Sequence, residues 1–231
     1  GFGALPDAWR RWLKKRTDAS ARPGGETFSD PRLKYGSYFG IPLEGQAIVY
    51  VYDRSDSMER GMRRGGRRID KSRRELSRAL GELRESVRFN IVAFSIKVRP
   101  WSRELRQASP ANVKEARAWL RSLDPSAGTS SYDALERAFQ LAGHRTSDRF
   151  WELEVETIFF LSDGEPTRRT GGFRMPLVRD DPERILSAVR RWNATGRVVV
   201  HTIGLGLARA SAPRFMQSLA EQNGGRFVAF R

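Results

Sequence analysis

Gln46–Met58 reads QAIVYVYDRSDSM, an apolar, β-branched and aromatic run followed by polar side chains. A continuous run such as Gln46–Tyr52 is typical of a strand that is buried on both faces of a parallel sheet. Asp53, Ser55 and Ser57 follow it at intervals of two, and each carries a side-chain oxygen. A turn that leaves a strand end can direct all three into one pocket. The stretch therefore predicts a buried strand that ends at a pocket lined with oxygen ligands.

Similar patterns recur along the chain. Further strands are predicted over Arg88–Ser95, Lys97–Ser102, Glu156–Leu161, Arg197–Ile203 and Arg226–Phe230. Helices are predicted between them, over about 69–87, 109–123, 131–143, 180–192 and 213–222. Because strands and helices alternate, the sequence predicts an α/β fold with a doubly wound, mostly parallel central sheet and helices on both faces. Pro100 lacks a backbone donor, so its strand is predicted to be the one antiparallel edge strand.

Residues 45–231 are predicted to form one domain, preceded by an N-terminal extension over residues 1–44. A chain of 231 residues suffices for one α/β core but barely for two. In the extension, one stripe of a short amphipathic helix is predicted on Leu5, Ala8, Trp9, Trp12 and Leu13. This stripe would pack on the domain or on a preceding one, since a basic membrane anchor needs a longer apolar face. An irregular connector follows the helix.

The net charge of +15 points to anionic partners such as nucleic acid, acidic protein or anionic lipid. Only six of the 42 basic residues are lysines, and a GC-rich genome produces the same arginine bias, so a generally basic exterior stays an alternative.

No apolar run approaches the ~20 residues of a membrane span, and no signal-peptide pattern is present, so a soluble chain is expected. The absence of cysteine excludes disulfides and thiolate metal sites. Compartment and oligomeric state stay open.

Two further segments place oxygen-bearing side chains near the predicted pocket. Ligands of doubly wound sheets bind beyond the carboxyl ends of the strands. Asp163 follows the predicted strand over 156–161, and Thr129 lies in a loop that opens a helix. Carboxylate and hydroxyl oxygens are hard ligands, which suit Mg²⁺, Mn²⁺ or Ca²⁺ and suit Zn²⁺ poorly. The sequence therefore predicts a divalent-metal site at Asp53, Ser55, Ser57 and Asp163, which hydroxyls of the loop over residues 128–133 can also face.

Three motifs together carry a resemblance to a known family. Asp-x-Ser-x-Ser follows an apolar strand, Gly128-Thr129 precedes Tyr132-Asp-Ala-Leu, and Leu161-Ser-Asp-Gly-Glu-Pro-Thr comes third. They resemble the metal-ion-dependent adhesion site (MIDAS) of von Willebrand factor type A (VWA) domains. The resemblance covers about residues 45–231 and is greatest to bacterial domains that read Asp-x-Ser-Gly-Ser-Met.

This resemblance implies a Rossmann-like VWA fold and a metal-dependent protein-interaction module, as in adhesion or the assembly of complexes, rather than an enzyme. It implies that the hydroxyls of Ser55, Ser57 and Thr129 bind Mg²⁺ directly. Asp53 and Asp163 would act directly or through water. One coordination position would remain for an Asp or Glu carboxylate of a protein partner.

The chain departs from the family at Asp56, where glycine is usual. Aspartate tolerates a left-handed backbone better than most residues, so the turn can survive, but its charge can repel an acidic partner or strengthen cation binding. Candidate partner-contact residues around the metal are Arg54, Asp56, Arg60, Arg63, Arg64, Ser130 and Glu165. A cluster of basic residues forms either a solvated face or an anion-binding rim, and consists of Arg60, Arg63, Arg64, Arg67, Arg68, Lys71, Arg73 and Arg74.

Two other functions stay open from the sequence. The basic surface would serve nucleic-acid (RNA) binding with a structural metal, although no groove-reading helix or aromatic stacking motif accompanies it. Metal-dependent phosphoryl transfer is disfavoured, because Ser55 stands where phosphatases of the haloacid dehalogenase type need a second aspartate, and no Walker-type loop is present. His144 and His201 have no ligand motif around them and are expected to be structural.

Overall fold

The longer strands of the computed structural model lie where the apolar runs predict them. The structure describes residues 36–63, 65–142, 155–164, 166–169, 176–207 and 211–230. Its longer strands are β3 (Ala47–Asp53), β4 (Arg88–Phe94), β7 (Thr157–Ser162), β10 (Val199–Leu205) and β11 (Phe227–Phe230). Strands of two or three residues are β1 (Ser37–Tyr38), β2 (Ile41–Pro42), β5 (Val98–Pro100), β6 (Arg106–Gln107), β8 (Thr167–Arg169) and β9 (Leu177–Arg179).

Helices connect the strands, and two of them begin with a side-chain cap within two residues of the predicted helix start. They are α1 (Arg68–Glu82), α2 (Pro110–Arg121), α3 (Ser131–Leu141), α4 (Pro182–Trp192) and α5 (Ser211–Glu221), with a short 3-10 helix over Asp56–Glu59. At the start of α2, the Ser109 side chain accepts a hydrogen bond from the Asn112 N–H. At the start of α4, the Asp181 side chain accepts one from the Glu183 N–H. Both bonds satisfy backbone donors that the first helical turn leaves unpaired.

The central sheet has the order β11-β10-β7-β3-β4-β5, with β6 also paired to β4. The pairs from β11 to β4 are parallel, and β5 and β6 are antiparallel to β4. The predicted fold class is therefore confirmed. The edge differs in detail, because two short antiparallel strands share it where one was predicted.

The sheet separates two apolar layers, and β3 contributes alternate side chains to each. Tyr50 and Tyr52 face the layer under α1 and α2. Val49 and Val51 face the layer under α3, α4 and α5. Every residue of β3 is buried. Helices on both faces thus explain why the run is apolar throughout rather than alternating.

The β1–β2 hairpin contributes to the first apolar layer. The Tyr38 ring lies 5.3 Å from that of Tyr50 and 5.5 Å from that of Phe159, both edge to face. Leu43 is buried in the same layer. Residues 37–43 therefore belong to the folded core, although the sequence boundary at residue 45 leaves them in the extension. The helix predicted over residues 5–13 lies outside the described residues.

Candidate metal centre

Asp53, the last residue of β3, connects that strand to the end of β7. Its carboxylate is fully buried. Oδ1 accepts a hydrogen bond of 2.7 Å from the Ser55 N–H, and Oδ2 accepts one of 2.6 Å from the hydroxyl of Ser162. Ser162 ends the neighbouring parallel strand. Asp53 thus shapes the turn that follows β3 and holds it against the strand that precedes Asp163.

Ser55, Ser57 and Asp163 form a continuous chain of oxygens. The hydroxyls of Ser55 and Ser57 are 3.0 Å apart. Ser57 donates to Oδ1 of Asp163 at 2.7 Å. Oxygens that occupy adjacent positions of an Mg²⁺ octahedron, each 2.0–2.1 Å from the ion, are about 2.9 Å apart. The observed separations therefore suit shared coordination of a small divalent cation.

Thr129 lines the same pocket as Ser57 and Asp163. Its N–H donates to the Thr167 hydroxyl at 2.7 Å, and its carbonyl accepts from the Thr167 N–H at 2.9 Å. These two bonds tie the loop before α3 to β8. Thr129, Ser57 and Asp163 line one pocket of about 370 Å³ at the carboxyl edge of the sheet. All five predicted metal residues are thus brought together, with Asp53 and Ser55 buried behind the pocket wall.

The charges of the two aspartates favour a cation in this pocket. Burial, and then the charge of nearby Asp163, raise the pKa of Asp53 to about 7. A divalent ion would offset both effects and stabilise the charged carboxylate. Across the ranges that the structure describes, no three His, Cys, Asp or Glu side chains cluster to hold a metal by themselves. The donor set is therefore two carboxylates with hydroxyls, which fits Mg²⁺ or Mn²⁺.

Arg68 is a site residue that sequence reasoning did not single out. It is 8% exposed and lines the pocket. Its Nη1 donates to Oδ2 of Asp163 at 2.5 Å, on the carboxylate oxygen that Ser57 does not use. No local signal separates Arg68 from the other arginines of its run.

The neighbouring arginines bind elsewhere, so the basic cluster is neither one solvated face nor one rim. Arg67 pairs with Asp70 at 2.8 Å and lies near Glu59. Arg73 donates to the carbonyl of Leu123. Arg60 is exposed and lines the pocket, as a rim residue should. These three arginines thus lie in three environments, which are a surface ion pair, a hydrogen bond to a backbone carbonyl and the opening of the pocket.

Two other residues predicted for the rim are buried. Arg54 is 6% exposed, and its guanidinium donates to the carbonyl of Asp124. Ser130 is 4% exposed; its N–H donates to the Ser95 carbonyl at 2.8 Å. Their contact with a partner stays a prediction, although both side chains are buried in the domain. Both are used to hold the loops that surround the pocket.

Asp56 and Arg63 are exposed, whereas Arg64 and Glu165 lie outside the described residues. Asp56 begins the 3-10 helix. Among the described non-glycine residues, only Phe39 has a positive φ. The turn therefore does not need a left-handed residue at Asp56, and the departure from glycine leaves its backbone unstrained.

His201 is buried in β10 and has a local partner. Its Nδ1 accepts a hydrogen bond of 2.9 Å from the Arg226 N–H, which ties β10 to the start of β11. Burial, and then the nearby charge of Arg226, lower its pKa to about 4. Both properties suit the structural role expected for it. His144 lies outside the described residues.

Comparison with known proteins identifies the family. The profile described as von Willebrand factor type A domain matches residues 46–229, which is most of the chain. The chain belongs to this family. Type A domains are interaction and adhesion modules that bind protein partners.

Curated relatives of this type A domain are much longer proteins. It is 30% identical over 187 residues to human inter-alpha-trypsin inhibitor heavy chain H4, covering 80% of this chain and 18% of the relative. It is 31% identical to heavy chain H3 of Mesocricetus auratus, covering 80% of this chain and 19% of the relative. The chain thus spans less than a fifth of these relatives. Both are mammalian, so the bacterial character of the domain stays a prediction.

Solved structures share the fold at lower sequence identity. A von Willebrand factor type A protein from Catenulispora acidiphila matches with a TM-score of 0.63 and 17% identity, covering 83% of this chain and 39% of that one. The pilus adhesin SpaC from Lactobacillus rhamnosus GG matches with a TM-score of 0.61 and 18% identity, covering 81% of this chain and 28% of that one. In the described part of this type A domain, no helix has the length and apolar character to cross a membrane.

Proposed function

We propose that this type A domain binds a protein partner through a divalent cation, with Mg²⁺ as the leading candidate and Mn²⁺ or Ca²⁺ as alternatives. The hydroxyls of Ser55, Ser57 and Thr129 would hold the ion. Asp53 and Asp163 would balance its charge and orient the hydroxyls. An Asp or Glu carboxylate of the partner would complete the coordination.

The observation that carries this proposal is the oxygen chain that ends in the pocket. Ser55, Ser57 and Asp163 lie at separations of 3.0 and 2.7 Å, and Thr129 lines the same pocket as Ser57 and Asp163. With hydroxyls rather than several carboxylates around it, a bound cation keeps positive charge toward the opening. An incoming carboxylate is then attracted at the one position that the chain does not fill.

The opening of the pocket also suits a protein surface. Arg60 lines it, and Leu177 and Val178 of β9 form an apolar wall. Leu177 is 37% exposed and is the one large hydrophobic residue counted as exposed among those the structure describes. Arginine is enriched in protein interfaces, and burial of the apolar wall against a partner would remove it from water.

Metal binding is tested first, with the ion itself as the probe. Isothermal titration of Mg²⁺ and of Mn²⁺ into the EDTA-stripped domain should show one site. The double variant Ser55→Ala/Ser57→Ala should lose it. Ser122→Ala, on an exposed serine at the end of α2, is the matched control. A wild-type domain that binds neither ion would overturn the proposal.

Partner binding is tested by capture from extracts of the native organism, with three arms. Proteins retained in Mg²⁺ should be released by EDTA, absent with Ser55→Ala/Ser57→Ala, and reduced by sodium acetate more than by equal sodium chloride. Acetate supplies the carboxylate that the proposal assigns to the partner. Retention of the same proteins in all arms would contradict a metal-bridged contact.

Nucleic-acid binding has weaker support. Several arginines that would grip phosphates are engaged within the domain, as Arg68 is with Asp163 and Arg73 with the Leu123 carbonyl. The salt dependence separates the two functions. Phosphate-driven binding falls steeply with ionic strength and is insensitive to EDTA.

A further inference from the structure

Arg68 occupies an unusual position for an arginine. It is the first residue of α1, yet its side chain turns into the pocket and is 9% exposed, while the Asp163 side chain that it contacts is 0% exposed. The second contact of its Nη1 is the Ser57 carbonyl at 3.5 Å. The guanidinium therefore touches two of the residues assigned to the metal.

The fold makes room for this side chain. Gly206, which follows β10, has φ +58, and a Cβ at that position would collide with Nε of Arg68. That Nε has no hydrogen-bond partner among the atoms the structure describes. Burying a guanidinium with an unsatisfied donor is costly, and a structural ion pair is often replaceable by apolar residues. Packing alone therefore does not explain why an arginine is buried at this position.

We infer that Arg68 is a built-in counter-cation of the metal centre. Its charge lowers the affinity of the site for the metal and raises the affinity of the metal-loaded site for the anionic group of the partner. This inference rests on the proposed function. Without metal, Arg68 offsets the negative charge that Asp53 and Asp163 concentrate in the pocket. It also holds Oδ2 of Asp163, so that Oδ1 stays directed at Ser57.

With metal bound, the charge of Arg68 determines the net charge of the site. Over the site as a whole, the formal charges of two carboxylates and of Mg²⁺ or Mn²⁺ sum to zero, although the ion itself stays positive toward the hydroxyl-lined opening. The guanidinium then leaves one positive charge, in a place largely shielded from water. Coulomb repulsion weakens the ion's hold on the site, while the same charge attracts an incoming carboxylate. Arg68 thus acts as a positioning and specificity residue through Asp163.

The experiment compares Arg68→Gln, which removes the charge, with Arg68→Lys, which keeps it. Isothermal titration should show Mg²⁺ binding to Arg68→Gln that is about tenfold tighter than to wild type, because the repulsion between the guanidinium and the ion is removed. Acetate should bind about tenfold more weakly to the Mn²⁺-loaded Arg68→Gln domain than to the Mn²⁺-loaded wild type. The measurement is the decrease in solvent proton relaxation as acetate displaces water from Mn²⁺. Arg68→Lys should stay near wild type in both measurements.

A stability readout separates the charge effect from general damage. In EDTA, Arg68→Gln should unfold at a lower temperature than wild type, and saturating Mg²⁺ should raise that temperature by more than it does for wild type. Arg67→Gln changes the same charge one residue earlier, where the partner is Asp70, and should behave as wild type. Failure of Arg68→Gln to fold even in Mg²⁺ would count against the inference, since the metal should replace the lost charge.

The proposed metal site and the counter-cation role of Arg68 can each fail without the other. If wild type binds no Mg²⁺ or Mn²⁺, the proposed function is wrong. If wild type binds the ion but Arg68→Gln binds ion and acetate as wild type does, the counter-cation role alone is wrong. Weaker ion binding by Arg68→Gln would also overturn it, since the side chain would then merely hold Asp163 in place.

Discussion

Ser57 and Asp163 are 106 positions apart in the chain, and the hydroxyl of the first donates to Oδ1 of the second at 2.7 Å. The two residues leave the carboxyl ends of β3 and β7, which are adjacent parallel strands. Their contact closes the crevice that the proposed function assigns to a cation. It also defines which oxygens a substitution at either residue removes.

Ser57→Ala should weaken Mg²⁺ binding by about tenfold or more, because it removes a hydroxyl that both faces the ion and orients Asp163. The hydroxyl is only part-buried, so the free energy of unfolding in EDTA should fall by no more than about 1 kcal/mol. Isothermal titration and chemical denaturation measure the two effects. An unchanged dissociation constant would remove Ser57 from the site.

Asp53→Asn should change metal binding and stability in opposite directions. At pH 8 the Asp53 carboxylate is largely charged, although burial and Asp163 raise its pKa to about 7. The amide removes this buried charge, so the EDTA-treated domain should gain roughly 1–3 kcal/mol of unfolding free energy. Mg²⁺ binding should weaken, because one counter-charge is lost. A variant less stable than wild type in EDTA would show that the hydrogen bonds of the carboxylate outweigh its charge.

His201 should make the domain less stable in mild acid. Its folded pKa of about 4 lies below the ordinary value near 6.5, so the unfolded chain binds more protons between these two values. The stability that neutral His201 contributes is complete above pH 6.5 and is lost as the pH falls toward 4. At pH 5 the loss is about 2 kcal/mol.

His201→Gln, which keeps an acceptor for the Arg226 N–H, isolates this effect. The raised pKa of Asp53 acts in the opposite direction, because it favours the folded state as the pH falls below 7. The quantity to compare is therefore the difference between wild type and His201→Gln in chemical denaturation at pH 5 and pH 7.5. An equal difference at both values would refute the assignment.

Asn90→Ala should destabilise the domain by about 2–4 kcal/mol, because four hydrogen bonds of a fully buried amide are lost. Nδ2 donates to the carbonyls of Ser102 and Glu104, and Oδ1 accepts from the N–H groups of Ile91 and Ser102. These bonds hold the segment between β5 and β6 against β4. Asn112→Ala, at a more exposed amide, should cost less than about 1 kcal/mol. Thermal denaturation of both variants checks the contrast.

The long strands and the helix starts were predictable because their signals are local. The β-branched run before Asp53 and the apolar run before Asp163 specify buried strands wherever the rest of the chain lies. Ser109-Pro110 and Asp181-Pro182 specify helix starts through contacts within a few residues. The short pairs β1–β2 and β8–β9 were not predicted, since strands of two or three residues have no periodicity to detect.

The five predicted metal residues could be chosen from the sequence because each is an oxygen-bearing residue in or near a loop that follows a predicted strand or opens a predicted helix. Each aspartate comes directly after or near the end of a buried strand, and parallel strands bring such ends to one edge. The left-handed turn expected at Asp56 is absent, because a 3-10 helix begins there instead. Backbone geometry of this kind depends on the hydrogen bonds of the whole loop and is not encoded by one residue type.

The sequence alone determined that oxygen-bearing side chains gather at the carboxyl edge of a parallel sheet, since apolar runs predict buried strands and their alternation with helices predicts parallel ones. Only the tertiary structure decided that Arg68 enters the pocket while Arg67 pairs with Asp70 and Arg73 binds the Leu123 carbonyl. Arginines in one run have the same helix propensity and the same charge. Which of them is buried depends on the orientation of α1 over the sheet and on the space that Gly206, far along the chain, leaves beside Asp163.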